Sequence, residues 1–357
     1  MADRCERELL TPRLRLRPWR AQDAPAMAAI NRDPEVARFL NRPTDERAVD
    51  ALLGIVTKHW ASTASASTPS RHVHVARRLL TAACDRARAI FAVEDDHGFT
   101  EDGRRRSLGA RSLRAALTER IYVRCHLGLD EAPGPAGTRD ILEMCDGVWL
   151  ARLRAANPAR SYWEPGWRVT GAWTAGELVI ERDGVRLCAA AERVRPSEDP
   201  ASVEVLLPAE RLWAAPGFYL THVDAGPLPA GQAVRIYAAP LPAKALDAFA
   251  AMMATLQRTG IAATCKIVNH PAAVARPDAL VAYVEPQAAQ HVASALVKDG
   301  LPSLLADPVP GFSQRVAPGL ALTPPHDDER ESFGQFCAGR VADVLLAQAG
   351  RHAVAVA

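Results

Sequence analysis

Residues 262–268 have the sequence Ala262-Ala263-Thr264-Cys265-Lys266-Ile267-Val268. A short apolar run of this kind predicts a mostly buried strand, and this one contains Lys266. Residues 242–258 before it predict a helix that Gly260 closes. Residues 234–238 predict the strand before that helix. Because the helix returns the chain, the two strands should lie side by side or one place apart.

Lys266 is unusual both for its position in a strand and for its residue type. The chain contains 43 Lys and Arg residues, of which only four are lysines. Arginine stays charged, whereas a buried lysine can lose its proton and act as a base. The position therefore has two interpretations, a side chain that snorkels from a strand end or a group held for chemistry.

The remaining pattern combines strands and helices that are not in strict alternation. Asp183-Gly184 predicts a hairpin turn, and residues 94–108 predict a loop. Strands are predicted over residues 167–173, 177–181, 185–188, 203–207 and 279–284, and helices over 75–93, 138–155, 286–298 and 331–349. We therefore predict an α+β fold, a mostly antiparallel sheet with packed helices, preceded by a small α/β segment at the N-terminus.

The composition and the cysteine pattern argue against a nucleic-acid-binding protein, a membrane protein and a zinc protein. A net charge of +2 gives no whole-molecule reason to expect nucleic acid or membrane as a partner. Seven scattered cysteines, without a CxxC pair or zinc-like Cys/His spacing, predict reduced thiols in the cytoplasm. The first residues have no apolar signal core, and no segment is long and apolar enough to span a bilayer. We expect no metal and no cofactor.

The N-terminal residues carry a pattern of their own, Thr11-Pro12-Arg13-Leu14-Arg15-Leu16-Arg17-Pro18-Trp19-Arg20 followed by Asp23 and Asp33-Pro34-Glu35-Val36. This start resembles GCN5-related N-acetyltransferases, which cradle the acetyl-CoA pyrophosphate in a glycine-containing loop. The nearest match to that loop, residues 106–111, has Arg111 where a small residue belongs. We interpret residues 1–60 as an acetyltransferase-like fragment without that activity, and residues 61–74 as a Ser/Thr/Ala linker.

One group of residues has the chemistry of a phosphate site. Arg235 and Tyr237 share one face of their strand, since strand side chains alternate. Lys266 can approach them from its own strand, while Arg276 and Arg315 lie in predicted loops. Arginines bind a dianionic phosphate through paired hydrogen bonds, and an ammonium near several guanidinium groups loses its proton more readily. The alternative is that these are separate surface residues.

A second resemblance rests on short stretches that occur in a fixed order along the chain. They are Arg152-Leu153-Arg154-Ala155-Ala156-Asn157, Tyr162-Trp163-Glu164-Pro165-Gly166-Trp167-Arg168-Val169, Glu181-Arg182-Asp183-Gly184-Val185-Arg186-Leu187, Pro216-Gly217-Phe218-Tyr219, Val234-Arg235-Ile236-Tyr237, Lys266-Ile267-Val268-Asn269, Arg276-Pro277-Asp278-Ala279, Ala317-Pro318-Gly319-Leu320 and Glu331-Ser332-Phe333-Gly334. Together they resemble the domain named after the Hop-A type III effectors, which also occurs in gene clusters for class V lanthipeptides. We assign this domain to residues 75–350.

That resemblance implies a phosphothreonine-lyase-like enzyme that converts phosphoserine or phosphothreonine of a precursor peptide into a dehydroamino acid. Lys266 matches the base and Arg276 the loop arginine, while Tyr237 stands where such lyases have a histidine acid. His270 is the reserve acid. The phosphate would be held by Arg235, Arg276 and Arg315. The implied partners are the phosphorylated precursor peptide and a Ser/Thr kinase of the same gene cluster.

Two other functions stay open at this point. The chain departs from the resemblance after Gly334, where Gln335, Phe336 and Cys337 replace the expected His and Arg. A non-catalytic protein that binds the peptide or the kinase is therefore the first alternative. An N-acetyltransferase that uses the N-terminal segment is the second.

Overall fold

The protein is described by a computed structural model that divides it into two compact units, Met1–Asp50 and Ala51–Ala357. In the first unit, strands β1 (Leu9–Leu10) and β2 (Arg15–Leu16) pair antiparallel. The rest of the predicted α/β segment, and residues 61–68 of the predicted linker, lie outside the described part. The structure describes residues 9–10, 15–16, 69–95, 98–106, 108, 112–131, 145–174, 176–211, 214–228, 233–325 and 332–356.

The second unit begins with a helical layer that carries a small sheet. Its elements are helix α1 (Pro69–Ile90), strands β3 (Phe91–Asp95), β4 (Gly98–Glu101) and β5 (Arg104–Arg106), and helix α2 (Leu113–Ile121), which continues into a π-helix (Tyr122–Leu127). The helix predicted over 75–93 therefore starts earlier and ends earlier, and the loop predicted over 94–108 is wrong. Phe91 and Phe99 are buried from neighbouring strands, and their burial holds this three-stranded sheet together.

A five-stranded sheet follows helix α3 (Gly147–Ala156), which Asp146 caps by accepting a hydrogen bond from the Trp149 amide. Asp183 and Gly184 both adopt positive φ, so the predicted hairpin turn is confirmed. The strands are β6 (Ser161–Thr174), β7 (Glu177–Arg182), β8 (Val185–Ala190), β9 (Val194–Pro196) and β10 (Val203–Pro208), in the order β8-β7-β6-β10-β9.

The central sheet has six strands and positions the candidate site. They are β11 (Phe218–His222), β12 (Val234–Ala238), β13 (Thr264–Val268), β14 (Leu280–Val284), β15 (Gln314–Ala317) and β16 (Leu320–Leu322), in the order β11-β13-β14-β12-β16-β15. The lysine strand β13 is thus one place from β12, as expected, with β14 between them. Three helices accompany the sheet, α4 (Ala245–Thr259), α5 (Pro286–Lys298) and α6 (Phe333–Val356).

One hydrophobic core, here called the sheet core, lies on one side of this sheet, and a second, the helical core, lies on the other side. The sheet core packs the side chains of Ile236, Cys265 and Ile267 with residues of α3, α4 and α5. The helical core joins α1, α2 and α6 to strands β3 and β4. All described strand pairs are antiparallel, and the α+β fold class is confirmed. Within the described ranges, none of the helices is both long and apolar enough to cross a membrane.

Gly311 marks a contact between the loop before β15 and the helical layer. Its amide donates a 2.8 Å hydrogen bond to the carbonyl oxygen of His126 in the π-helix. Its carbonyl accepts a 2.8 Å bond from the Arg86 guanidinium. A Cβ at position 311 would collide with the carbonyl oxygen of Cys125, so the close approach requires glycine.

Candidate functional site

The register of the central sheet brings the basic residues of two strands to one face. Lys266 on β13 lies opposite Val281 on β14, which in turn lies opposite Tyr237 on β12. Arg235, two residues before Tyr237, lies opposite Tyr283. Because side chains directly opposite each other share a face, all of these residues point to the same side of the sheet.

A cavity of about 290 Å³ opens on that face. Its floor is the sheet, and its other walls come from the π-helix, the loop before β14 and the first turn of α6. The charged and polar side chains that line it are Tyr122, Arg235, Tyr237, Lys266, Arg276, Asp278, Tyr283, Ser332 and Gln335. Three cationic side chains thus face the cavity with one carboxylate among the described residues.

The Lys266 amine is held between aromatic rings. Its Nζ lies 4.5 Å from the ring centroid of Phe218 and 5.4 Å from that of Tyr283. The Arg276 guanidinium carbon lies 5.9 Å from the same Phe218 ring. Ring faces attract a cation but give it no hydrogen-bond acceptor as strong as a carboxylate. The amine is therefore fixed in place and remains available to a ligand.

Arg235 is a buried cation, with 7% of its surface exposed. Its guanidinium carbon lies 5.4 Å from the ring centroid of Tyr283 and 5.8 Å from that of Phe333. Its Nε and Nη1 atoms find no hydrogen-bond partner within the described part of the chain. Burying an unpaired cation is costly, so this arrangement favours an anionic ligand that completes it.

Arg276 is oriented by two acceptors in the cavity wall. Its guanidinium forms a bidentate ion pair with Asp278, and its Nη2 donates a 2.6 Å hydrogen bond to the Tyr122 hydroxyl. Tyr122 in turn donates a 2.8 Å bond to Asp278. Burial alone would raise the pKa of Asp278, but the Arg276 guanidinium outweighs it and lowers that pKa to about 2. Asp278 therefore stays ionised and holds Arg276 in one orientation.

Tyr237 and His126 meet at the back of the cavity. Tyr237 is buried, and burial raises the pKa of its hydroxyl well above its ordinary value, so it keeps its proton at neutral pH. The His126 ring lies edge-on to it with the centroids 5.7 Å apart. Burial lowers the pKa of His126 to about 4, so this ring is neutral at pH 7. Neither of its ring nitrogens has a hydrogen-bond partner among the residues described.

The structure does not bring His270 and Arg315 to the cavity lining. His270 begins a short 3₁₀ turn, where its Nδ1 accepts a 3.1 Å hydrogen bond from the Ala272 amide. Arg315 lies in strand β15, not in the predicted loop, and its exposed side chain pairs with Asp307. Both residues therefore already have local structural roles.

Sequence reasoning did not assign His126, which packs against Tyr237, to this region, and it missed five polar residues that line the cavity, Tyr122, Asp278, Tyr283, Ser332 and Gln335. Asp278 had a usable signal, since it lies two residues after Arg276 in the Arg276-Pro277-Asp278-Ala279 stretch. Tyr122 and His126 had none, because the π-helix that presents them has no sequence pattern of its own. Among the described residues, no group of three or more His, Cys, Asp and Glu side chains is placed to hold a metal ion.

Most of the cavity lining lies in a region that is similar to a known protein family. Residues 209–356 match the HopA1 effector protein family, and this range contains every lining residue of the cavity except Tyr122. Over these residues the chain is therefore similar to HopA1 effector family domains. Residues 13–89 match the acetyltransferase (GNAT) domain family, so that similarity runs past residue 50 into helix α1.

Two solved structures of effector proteins from Pseudomonas syringae are similar to this chain. The protein from pathovar tomato strain DC3000 is 16% identical, with 76% of this chain and 88% of that chain covered and a TM-score of 0.42. The protein from pathovar syringae strain 61 is 17% identical, with coverages of 76% and 87% and a TM-score of 0.41. No curated protein sequence matches the chain significantly.

Proposed function

We propose that this chain is a lyase that removes phosphate from phosphoserine or phosphothreonine of a precursor peptide by β-elimination. The observation that carries the proposal is one cavity in which the Lys266 amine lies with the guanidinium groups of Arg235 and Arg276. One of these guanidinium groups is buried with two nitrogens that lack partners among the described residues. A phosphate dianion can accept hydrogen bonds from these nitrogens and balance their charge, and the Lys266 amine supplies a base beside it.

The reaction is a 1,2-elimination in which each group has one task. The Lys266 amine takes the proton from Cα, and the released electron pair forms the Cα–Cβ double bond. The Cβ–O bond breaks, and phosphate leaves with that bonding pair. Arg235 and Arg276 hold the phosphate and offset its growing charge. The products are phosphate and dehydroalanine or dehydrobutyrine.

Tyr237 supports the leaving step as a proton donor. Its raised pKa keeps the phenol protonated at neutral pH, so it can donate to the bridging oxygen as the Cβ–O bond breaks. Arg235 lies two residues away on the same strand face and is the charge that most opposes this pKa rise. His126 touches the ring of Tyr237 but does not line the cavity, so we assign it no step.

The biological setting follows from this chemistry and from the family resemblance. A Ser/Thr kinase would supply the phosphorylated residue, and the dehydroamino acids would enter peptide natural-product biosynthesis of the lanthipeptide type. We propose a cytoplasmic location for this work, with peptide and kinase as the partners.

Mass spectrometry of a phosphothreonine peptide incubated with the protein tests the proposal. Loss of phosphoric acid, leaving an alkene that adds a thiol, is the expected result. Lys266→Ala should abolish it, while Lys298→Ala, a lysine exposed at the end of α5, should not. Phosphate loss that regenerates the hydroxyl would instead indicate a phosphatase. Binding of the peptide without any turnover would indicate the non-catalytic binding protein.

A second candidate function rests on the match of residues 13–89 to the acetyltransferase (GNAT) domain family. That match favours binding of acetyl-CoA by the N-terminal region. Calorimetric titration with acetyl-CoA tests it, and the absence of measurable heat at millimolar cofactor would eliminate this function. Residue Arg111, which is expected to block the phosphate-binding loop, lies outside the described residues.

A further inference from the structure

The first turn of α6 forms a wall of the cavity opposite the sheet. Ser332 and Gln335 line the cavity there and bind each other reciprocally. The Gln335 amide donates to the Ser332 hydroxyl oxygen at 3.2 Å, and the Gln335 carboxamide oxygen accepts from the Ser332 amide at 3.4 Å and from its hydroxyl at 3.2 Å. This is a capping box, which fixes the helix start by satisfying its unpaired amide groups.

The capping box does not use the carboxamide –NH₂ group of Gln335. Because its carboxamide oxygen faces Ser332, its –NH₂ group is the part that remains to contact a ligand. The N-terminus of a helix also carries a partial positive charge, equivalent to roughly half an elementary charge. A donor and a positive helix end thus face the same cavity as the three cationic side chains.

Arg235 gives independent support for an anion at this wall. It is nine-tenths buried, it lines the cavity, and its guanidinium carbon lies 5.8 Å from the ring of Phe333, the first residue of α6. Its Nε and Nη1, which have no hydrogen-bond partner among the described residues, therefore belong to a guanidinium that lies near the side chain of the first helical residue. Because Arg235, Ser332 and Gln335 line the same cavity, a phosphate that binds there is expected to meet both the guanidinium and the first turn of α6.

We propose that Gln335 is a phosphate-binding residue and that the first turn of α6 forms part of the anion site. This inference rests on the proposed function only in taking phosphate as the anion. The side chain contributes a neutral donor at the exposed rim, while Arg235 contributes a buried charge at the base. The charge at position 335 therefore sets the affinity for the dianion.

Charge substitution at position 335 tests this proposal without requiring turnover. Inorganic phosphate is titrated into wild type, Gln335→Glu and Gln335→Lys by calorimetry at low salt. We expect the glutamate to weaken phosphate binding roughly tenfold and the lysine to strengthen it severalfold. Both effects should shrink as salt is added. Gln290→Glu and Gln290→Lys on the exposed face of α5 are the matched controls and should bind as wild type does.

Thermal unfolding separates this role from a purely structural one. Glutamate replaces glutamine in a capping box without loss, so Gln335→Glu should unfold at the wild-type temperature. A structural role would also not change phosphate affinity in opposite directions for Glu and Lys. Equal phosphate affinities in all five proteins, or no phosphate binding by wild type, would overturn the proposal.

The outcomes for the α6 site and for the lyase are distinct. Phosphate binding that responds to the charge at 335, without elimination of a phosphopeptide, supports the α6 site and contradicts the lyase. Elimination by Gln335→Glu with the phosphate affinity and kcat/KM of wild type supports the lyase and contradicts the α6 site.

Discussion

The two faces of the central sheet use the same strands for different purposes. On one face, Ile236, Cys265 and Ile267 are fully buried against helices α4 and α5. On the other face, the alternating residues Arg235 and Lys266 present charge to a cavity. Adjacent residues of one strand thus serve either stability or binding, because a strand turns successive side chains to opposite faces. Substitutions on the two faces should therefore have separable effects.

The largest effect should come from the cavity face. Lys266→Ala should lower the rate of phosphate elimination by roughly 10²–10⁴-fold, the usual contribution of a positioned base. Lys266→Arg should be nearly as damaging, since a guanidinium does not give up its proton. Single-turnover kinetics with a phosphothreonine peptide measures the loss, and urea unfolding should show unchanged stability. Turnover retained by either variant would contradict the assignment of Lys266.

The next residue in the same strand should show the opposite behaviour. Ile267→Ala should lower the free energy of unfolding by about 2–5 kcal/mol, because it leaves a cavity in the sheet core. Elimination by the folded fraction should continue at the wild-type rate. Denaturant unfolding together with the same kinetic assay checks both halves. A rate loss comparable to that of Lys266→Ala would show that the two faces are coupled.

His126 extends the comparison to the helical layer above the cavity. Its pKa in the folded protein is lowered to about 4 by burial, from 6.5, so the unfolded chain binds its proton first as the pH falls. Stability is therefore lost between about pH 6.5 and pH 4, by an amount on the order of 3 kcal/mol. His126→Leu should remove this part of the loss. Its ring nitrogens form no hydrogen bond with the described residues, and the Asp278 carboxylate lies 4.0 Å from Nε2, beyond hydrogen-bond range. That variant should therefore keep its stability at pH 7.

Urea unfolding of wild type and His126→Leu at pH 7 and pH 4.5 measures the difference. His222, whose pKa burial also lowers to about 4, is present in both proteins, so its contribution cancels. Parallel loss of stability in the two proteins would show that His126 is not the group that titrates.

The smallest expected effect is a change in the free energy of unfolding when the buried cation of the cavity face is removed. Arg235→Met should raise the free energy of unfolding by about 1–2 kcal/mol, because it removes a buried cation whose Nε and Nη1 form no hydrogen bond with the described residues. The methionine side chain can still pack against the rings of Tyr283 and Phe333. The same change should weaken phosphate binding. Unfolding curves with and without saturating phosphate measure both effects. A loss of stability in the absence of phosphate would mean that Arg235 has a structural partner.

The sequence predicted the three inner strands of the central sheet, β12, β13 and β14, but not its outer strands β11, β15 and β16. Strands β12 and β13 stand out because apolar residues dominate them and a helix with a clear glycine stop separates them. Strand β11 escaped prediction, since it is defined mainly by its pairing with β13. Strands β3 to β5 escaped because they are short, polar on one side and fixed by packing against distant helices.

The candidate site could be predicted only for residues within strands, whose side chains point alternately to the two faces of the sheet. The shared face of Arg235 and Tyr237 follows from their spacing, and Lys266 follows from the strand order. The positions of Tyr122, His126 and Gln335 depend on how the helical layer meets the sheet, which sequence spacing does not encode. The ion pair between Arg315 and Asp307 could not be predicted, because no sequence pattern indicates that these two residues meet.

Gly311 has a consequence for how domains of this kind can diverge. Its hydrogen bond to the His126 carbonyl requires a bare Cα, so the loop and the π-helix can change only together. A methyl group at this position would collide with the Cys125 carbonyl oxygen and force the loop and the π-helix apart. Because Cys125 and Phe312 belong to the same helical core, and Tyr122 of that π-helix lines the cavity, a substitution here should disturb the packing and the shape of the cavity together.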